Sequence, residues 1–189
     1  MFFMTLSFKK IWWFIWESNS IWSWVLDFLL AFIFIKFIFF PLLAVIFSAS
    51  LPMVIVESNS MVHQGNFDQW WSNYGAWYDN NNITKAQFKE WGFTNGINKG
   101  DIIIVHGQKN YQKGDIIIFR TPLQTTPIIH RVVFDLGNGF LSTKGDNNQY
   151  QLSVEKEIRK DQIVGKAIGK IPWLGWIKLF AVNPASALG

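Results

Sequence analysis

Residues 28–47 read FLLAFIFIKFIFFPLLAVIF, which is about the twenty apolar residues an α-helix needs to cross a hydrocarbon core of roughly 30 Å. A stretch this apolar on every side needs lipid or a large protein core around it, and that limits the fold more than any other feature of the chain. Two residues disturb it. Lys36 sits near the middle at a cost of about 3 kcal/mol on insertion scales, which the surrounding Phe, Ile and Leu offset. Pro41 removes one backbone donor and predicts a kink. Ahead of the stretch lie Trp12, Trp13, Trp16, Trp22 and Trp24, a residue type that concentrates at the lipid–water boundary. The pattern predicts three parts: a Trp-rich interfacial segment at 1–27, a transmembrane anchor at 28–50, and a β-rich domain at 51–189. Within residues 2–24 an interfacial helix or irregular aromatic belt is expected ahead of a second crossing. Lys9 and Lys10 precede the anchor, which favours a cytoplasmic N-terminus and a body on the outer face. The apolar region is too long for a cleavable leader, and Ser48-Ala49-Ser50 is the one candidate cleavage site, so an uncleaved single-pass anchor is expected.

The remainder of the 189 residues has the mixed composition of a modest folded domain. Runs of β-type residues follow turn signals: 53–56, 101–105, 115–119, 128–134, 139–143 and 163–171. Lys-Gly-Asp-Ile-Ile-Ile occurs twice, at 99–104 and 113–118, and predicts two strands that each follow a glycine turn. Leu136-Gly137-Asn138-Gly139 is a hairpin signal. This spacing predicts a mainly β fold of barrel or sandwich type. Residues 64–98, rich in Asn, Trp, Tyr and Gly, read as an inserted surface excursion with one short helix at 84–91 capped by Thr84. Its aromatics are expected to dip into the interface beside the anchor. The tail at 172–182 is expected to close the fold as a strand or short helix near the membrane.

The net charge of +4 is mild and unclustered, which argues against nucleic-acid binding. The absence of cysteine excludes disulfides, thiolate catalysis and Cys-type zinc sites. Three segments carry candidate chemistry: Ser58-Asn59-Ser60-Met61, Ile128-Ile129-His130-Arg131-Val132-Val133 and Lys144-Gly145-Asp146-Asn147-Asn148. A serine hydroxyl such as that of Ser60 needs a neighbouring base to become a nucleophile. His130, in a β run, is a suitable base because imidazole titrates near neutrality. Asp146 can orient that imidazole and stabilise its cation. Ser58 can offer its hydroxyl to a developing oxyanion beside the Ser60 backbone N–H. Each residue alone has a plain structural reading: a loop serine, a packed strand histidine, a turn aspartate. Spacing does not assemble them, since such triads occur in several chain orders.

The three segments together resemble the type I signal peptidases, in particular their endoplasmic-reticulum and archaeal branch. A membrane anchor is followed there by a Ser-x-Ser-Met box, matched by Ser58 to Met61. A base ahead of Arg-Val-Val is lysine in bacterial members and histidine in this branch, matched by His130 to Val133. Lys-Gly-Asp-Asn-Asn is matched in full by Lys144 to Asn148, and the closing Pro172-Trp173-Leu174-Gly175 also looks like a family feature. The resemblance implies a β-rich catalytic domain and a serine endopeptidase that removes N-terminal signal peptides from exported preproteins. Ser60, His130 and Asp146 would be its catalytic residues, with no cofactor or metal. Substrates would present small residues at the first and third positions before the cut, as an extended segment on the strand edge formed by Met53, Val54, Ile55, Val56 and Glu57. The lipid bilayer, accessory subunits or a translocon would be partners. The chain also departs from the pattern. Val62-His63 stands where x-Pro usually follows Ser-Met, and Asn59 replaces the common glycine between the serines. Leu152 occupies the place of a second aspartate, with Glu155 as the nearest acid.

Three other readings compete. Lys144 as base in a Ser–Lys dyad would require a pKa depressed by burial. A metal site from His63, His106 and His130 lacks the compact spacing of common zinc motifs. The third is a membrane-tethered β module with a degenerate protease site that binds a partner through the Trp-rich excursion.

Overall fold

The computed structural model describes residues 8–182, so the parts of the expected segments at 2–7 and 183–189 lie outside the described residues. The chain divides into two compact units, the first ending at Ile46 and the second beginning at Phe47.

In the first unit, helix α1 (Phe8–Trp16) precedes a helical run made of α2 (Ile21–Phe34), a π-helical turn (Ile35–Phe39) and α3 (Phe40–Ile46). Ser20 caps α2 by accepting from the Trp22 N–H, and the Ser23 hydroxyl donates to the Phe14 carbonyl, tying α1 to α2. The 26-residue run Ile21–Ile46 is long and apolar enough to cross a membrane. The disturbance expected at Pro41 appears one turn earlier, as the π turn. There the Phe40 N–H reaches back five residues to the Ile35 carbonyl, loosening the backbone where the proline ring would otherwise crowd it. Lys36 lies over the rings of Phe32 and Phe37 at 5.6 and 5.3 Å, so its cation has π faces for partners in an apolar setting.

The second unit is built on the β-rich scaffold that the strand spacing predicts. One seven-stranded sheet has the order β1-β2-β7-β3-β4-β5-β6, with every neighbouring pair antiparallel. The strands are β1 (Met53–Ile55), β2 (Ile102–His106), β3 (Ile116–Thr121), β4 (Gln124–Gly137), β5 (Phe140–Lys144), β6 (Ile158–Arg159) and β7 (Ile163–Ile171). The repeated Lys-Gly-Asp-Ile-Ile-Ile proves to be one local device used twice. Asp101 N–H donates to the Asn98 carbonyl and Asp115 N–H to that of Gln112, both at 3.0 Å. The side chain of each aspartate accepts from the N–H at the start of its own turn. Gly100 and Gly114 take φ of +88° and +96°, the third-position geometry of a type II turn. Both aspartates then pair with lysines of β7, Asp101 with Lys170 and Asp115 with Lys166.

Burial explains why these strands read as continuous apolar runs. In β3, Ile116 and Ile118 enter one core with Val56, Met61, Ile103 and Ile129, while Ile117 and Phe119 enter another with Val132, Leu141 and Ile158. A strand covered on both faces shows no alternation. Ala49, within the one candidate cleavage site, is buried in the first of these cores.

The segment at 64–98 is not a surface excursion. It contains helix α4 (Phe67–Asn80) and the short α5 (Lys85–Lys89), and it forms a third core from Trp70, Trp71, Tyr78, Ile83 and Phe88 against Val133. Trp70, Tyr78 and Phe88 are fully buried, worth about 2 kcal/mol or more each in apolar area removed from water. Only the capped helix near Thr84 was legible; it is α5, with the capping box intact. The tail forms a short helix, α6 (Trp176–Val182).

Candidate active site

β4 carries His130 and Arg131 side by side. Successive strand residues face opposite sides of a sheet, so these neighbours enter two different networks.

His130 faces a cleft of about 450 Å³ whose lining includes Ile55, Glu57, Ser58, Ser60, Ile128 and Leu152. Its Nε2 lies 2.9 Å from the Ser60 hydroxyl. Its Nδ1 bonds the carboxylate of Glu155. Glu155 is fully buried on a one-turn 3₁₀ helix (Ser153–Glu155), where its second oxygen accepts from the Leu152 N–H at 2.6 Å. Thr143 adds a longer bond from its hydroxyl at 3.4 Å. The carboxylate therefore fixes Nδ1 as the protonated nitrogen and leaves Nε2 as acceptor for the serine proton. The Ser58 and Ser60 hydroxyls are 3.1 Å apart.

Asp146 has other partners than the one expected. It does not bond His130; the carboxylate at that ring is Glu155, the acid that stood nearest to the missing second aspartate. Asp146 is fully buried and receives Arg131 Nε on both oxygens, at 3.0 and 3.1 Å, and Nη2 of the same guanidinium at 2.8 Å. His63 Nε2 lies 3.0 Å from it, and the Tyr78 hydroxyl donates at 3.1 Å. Burial pushes its carboxyl upward, but the Arg131 guanidinium and the His63 contact outweigh that and hold it well below the usual range. Burial, with Asp146 adding to it, pushes the Tyr78 phenol well above its ordinary value. Arg131 spends its remaining donors on the carbonyls of Gly92, Gly114 and Phe93 and lies 4.7 Å from the Phe88 ring centroid and 5.8 Å from that of Trp91. A multidentate guanidinium lying against two aromatic rings fills a role lysine cannot.

The turn that bears Asp146 still serves the site through its backbone. Asn147 N–H donates to the Ser60 carbonyl at 2.7 Å, and its side chain donates to the Asn59 carbonyl. Gly145 lies flush against the imidazole: a Cβ there would come within 2.7 Å of His130 Nε2. Lys144 is buried over the rings of Trp77 and Tyr78 and donates to the Gly145 carbonyl at 3.0 Å. Burial pulls its pKa down to about 8, against the attraction of Asp146 and Glu155. The hydroxyl of Ser60 is thus engaged by His130, and Lys144 is committed elsewhere. His63 and His130 belong to separate networks, so the three-histidine metal reading has no common centre.

Of the expected substrate edge, Ile55 and Glu57 line the cleft, whereas Val54 and Val56 pack into the core. Met53 is half-buried and pairs with Ile104. β1 is an outermost strand, so its second edge is unpaired within the sheet. Sequence reasoning named Glu155 only as the nearest acid and did not pair His63 with Asp146; an acid close behind the Lys-Gly-Asp-Asn-Asn box and a histidine three residues past the serine were the available signals.

A serine hydroxyl bonded to an imidazole that is bonded to a buried carboxylate is the arrangement serine hydrolases use. No protein-family model matches the chain. Individual relatives do. It is 34% identical over 98 residues to the signal peptidase complex catalytic subunit SEC11 of Leptosphaeria maculans, covering 46% of this chain and 57% of that protein. It is 34% identical over 91 residues to the same subunit of Lodderomyces elongisporus (43% and 55%), and 33% identical over 93 residues to that of Saccharomyces cerevisiae (43% and 56%). The chain thus spans a little over half the length of these relatives. The resemblance to the endoplasmic-reticulum branch of signal peptidases, read from three short boxes, is borne out by them.

Proposed function

We propose that this chain is a membrane-bound serine endopeptidase that removes N-terminal signal peptides from exported preproteins. The observation that carries the proposal is the line Ser60 Oγ–His130 Nε2–Glu155, opening on the cleft beside β1. In the reaction, Ser60 Oγ attacks the scissile carbonyl while His130 Nε2 takes its proton. The resulting imidazolium stays bonded to Glu155 and returns the proton to the leaving amine. Water then repeats the sequence on the acyl-enzyme. The Ser58 hydroxyl, with the Ser60 N–H, would receive the oxyanion, a contribution of about 3 kcal/mol per donor. Asp146 acts one layer behind, holding Arg131 and its own turn in place.

An extended substrate segment would add to the free edge of β1 beside Ile55 and Glu57, its small side chains seated in the shallow cleft. The apolar helix at Ile21–Ile46 would hold the domain at the bilayer, with Lys9 and Lys10 on the cytoplasmic side and the catalytic domain on the outer face. The relatives are named as subunits of a complex, which supports accessory subunits for this chain too. The binding-module alternative loses its surface, because the central aromatics of 64–98 face inward.

The test is cleavage of a model preprotein in detergent by wild type, Ser60→Ala and His130→Ala. Processing by wild type alone is expected. Processing that survives in His130→Ala would defeat the proposed base.

A further inference from the structure

His63 stands where the resembling family carries proline, and it makes more contacts than a spacer needs. Its Nδ1 lies 2.7 Å from the Thr94 carbonyl and its Nε2 3.0 Å from Asp146. The ring stacks on Trp70 with centroids 3.8 Å apart and planes 10° apart, and Phe88 flanks it at 6.1 Å. Its backbone is pinned as well. Val62 bridges to Gly96, and the Ile97 N–H donates to the Met61 carbonyl at 2.8 Å. Gly96 takes φ of +70°, and a Cβ there would lie 2.6 Å from the His63 nitrogen and 2.9 Å from its ring.

These contacts close a ring of connections around the reacting pair. From Ser60 the chain runs three residues to His63, and His63 bonds Asp146. The turn of Asp146 returns to Ser60 through the Asn147 N–H and backs His130 through Gly145. Asp146 N–H also meets the Met61 sulfur at 3.3 Å. The nucleophile and the base are therefore referenced to one carboxylate, and His63 is the link on the nucleophile's side. We infer that His63 is a positioning residue that sets the Ser60–His130 distance by clamping the Ser60 loop to Asp146. Both ring nitrogens are engaged by oxygen acceptors, the Thr94 carbonyl and the Asp146 carboxylate, and neither is turned to the Ser60 hydroxyl. The charged and titratable groups facing it are Asp146 and, through Asp146, Arg131 and Tyr78; Trp70 and Phe88 close its faces. A ring with both nitrogens engaged away from the serine is a brace and not a second base.

The inference rests on the serine-hydrolase reading, and its test separates the two. His63→Phe keeps the ring and its stack on Trp70 but has no donors. His63→Gln keeps one donor and guards against a Phe variant that fails to fold. Wild type and both variants are reacted with a fluorophosphonate that acylation-competent serines attack. Amide hydrogen exchange is followed in parallel. A small misplacement of reacting groups costs one to two powers of ten, so His63→Phe is expected to lower the maximal labelling rate about tenfold or more, with the probe's half-saturation unchanged. His63→Gln should recover part of the rate. Exchange should quicken at 58–62 and stay slow in β3. A labelling rate within about twofold of wild type in His63→Phe, or exchange that quickens across the whole domain, overturns the inference. Where wild type resists the probe, preprotein cleavage decides the hydrolase reading instead. In that case local quickening at 58–62 still supports the clamp, and unchanged exchange there overturns it.

Discussion

Two histidine–carboxylate pairs lie in the second unit, and the proposed function gives them opposite work. His130 bonds Glu155 through Nδ1 and turns Nε2 to the Ser60 hydroxyl at the cleft. His63 bonds Asp146 through Nε2 and turns Nδ1 to the Thr94 carbonyl, with Trp70 covering its face. The chemical parts are the same. The partner of the second nitrogen differs: a hydroxyl both gives and receives a proton, whereas a carbonyl only receives. The surroundings reinforce the contrast. Arg131 already neutralises Asp146, while the carboxylate of Glu155 is met by a histidine, a backbone N–H and a hydroxyl. A pair meant to pass protons is left one weakly committed nitrogen; a pair meant to hold structure has none.

The largest effect that can break this comparison is on catalysis. Ser60→Ala and His130→Ala should each lower preprotein cleavage by about a thousandfold or more, measured as kcat/KM in detergent. Equal losses from the single variants and the double variant would show that the two act as one unit. Exchanging the acids sharpens it next. Glu155→Gln should lower kcat by about a hundredfold or more while the domain melts near its usual temperature. Asp146→Asn should instead cost stability, about 3–5 kcal/mol by urea unfolding, because it leaves Arg131 buried without its counter-charge. The stabilising contribution of Asp146 has a depressed folded pKa behind it, so it is present above about pH 4 and is lost as pH falls below that. That acid slope should be missing from Asp146→Asn. If the acid variants exchanged phenotypes, the two pairs would have been assigned the wrong way round.

A smaller effect belongs to Lys144. Its folded pKa is lowered to about 8 from 10.5, so between those values the unfolded chain binds the extra proton. Stability should therefore rise with pH across that window, by no more than about 3 kcal/mol. Urea titrations of Lys144→Met should lack the rise. The smallest concerns the packing behind the brace. Asn66 accepts from Gln69 N–H while the Gln69 side chain accepts from Asn66 N–H, so Asn66→Ala should cost about 1 kcal/mol in unfolding without altering the maximal cleavage rate.

The proton-passing half of the site was far more legible in the sequence than the bracing half. Ser60 and His130 sit in contiguous boxes whose order survives as text, and β2 and β3 of the supporting sheet announce themselves through Gly-Asp turns and isoleucine runs. α4 was missed although Phe67, Trp70, Trp71, Tyr74, Trp77 and Tyr78 repeat at helical spacing and Asn66 and Gln69 cap it. Asn, Gly and aromatic residues have weak helix propensity, so composition masked the period; tertiary burial supplies what propensity does not. Asp146 looked like the third member because it follows a strand in the most complete box. Its partner set depends on Arg131, His63 and Tyr78 converging from three elements, and no linear spacing carries that information.

Glu155 reaches His130 from a single helical turn that ties off its own first amide. A tethered turn of this sort is a self-contained cassette. Its acid can migrate by a few places along the chain and still deliver an oxygen to the same point in space. Lineages that drift in this way would appear to have lost the third group whenever they are compared column by column. Inventories of inactive paralogues built on such comparisons should therefore look for the acid by proximity to the imidazole before striking a protein off.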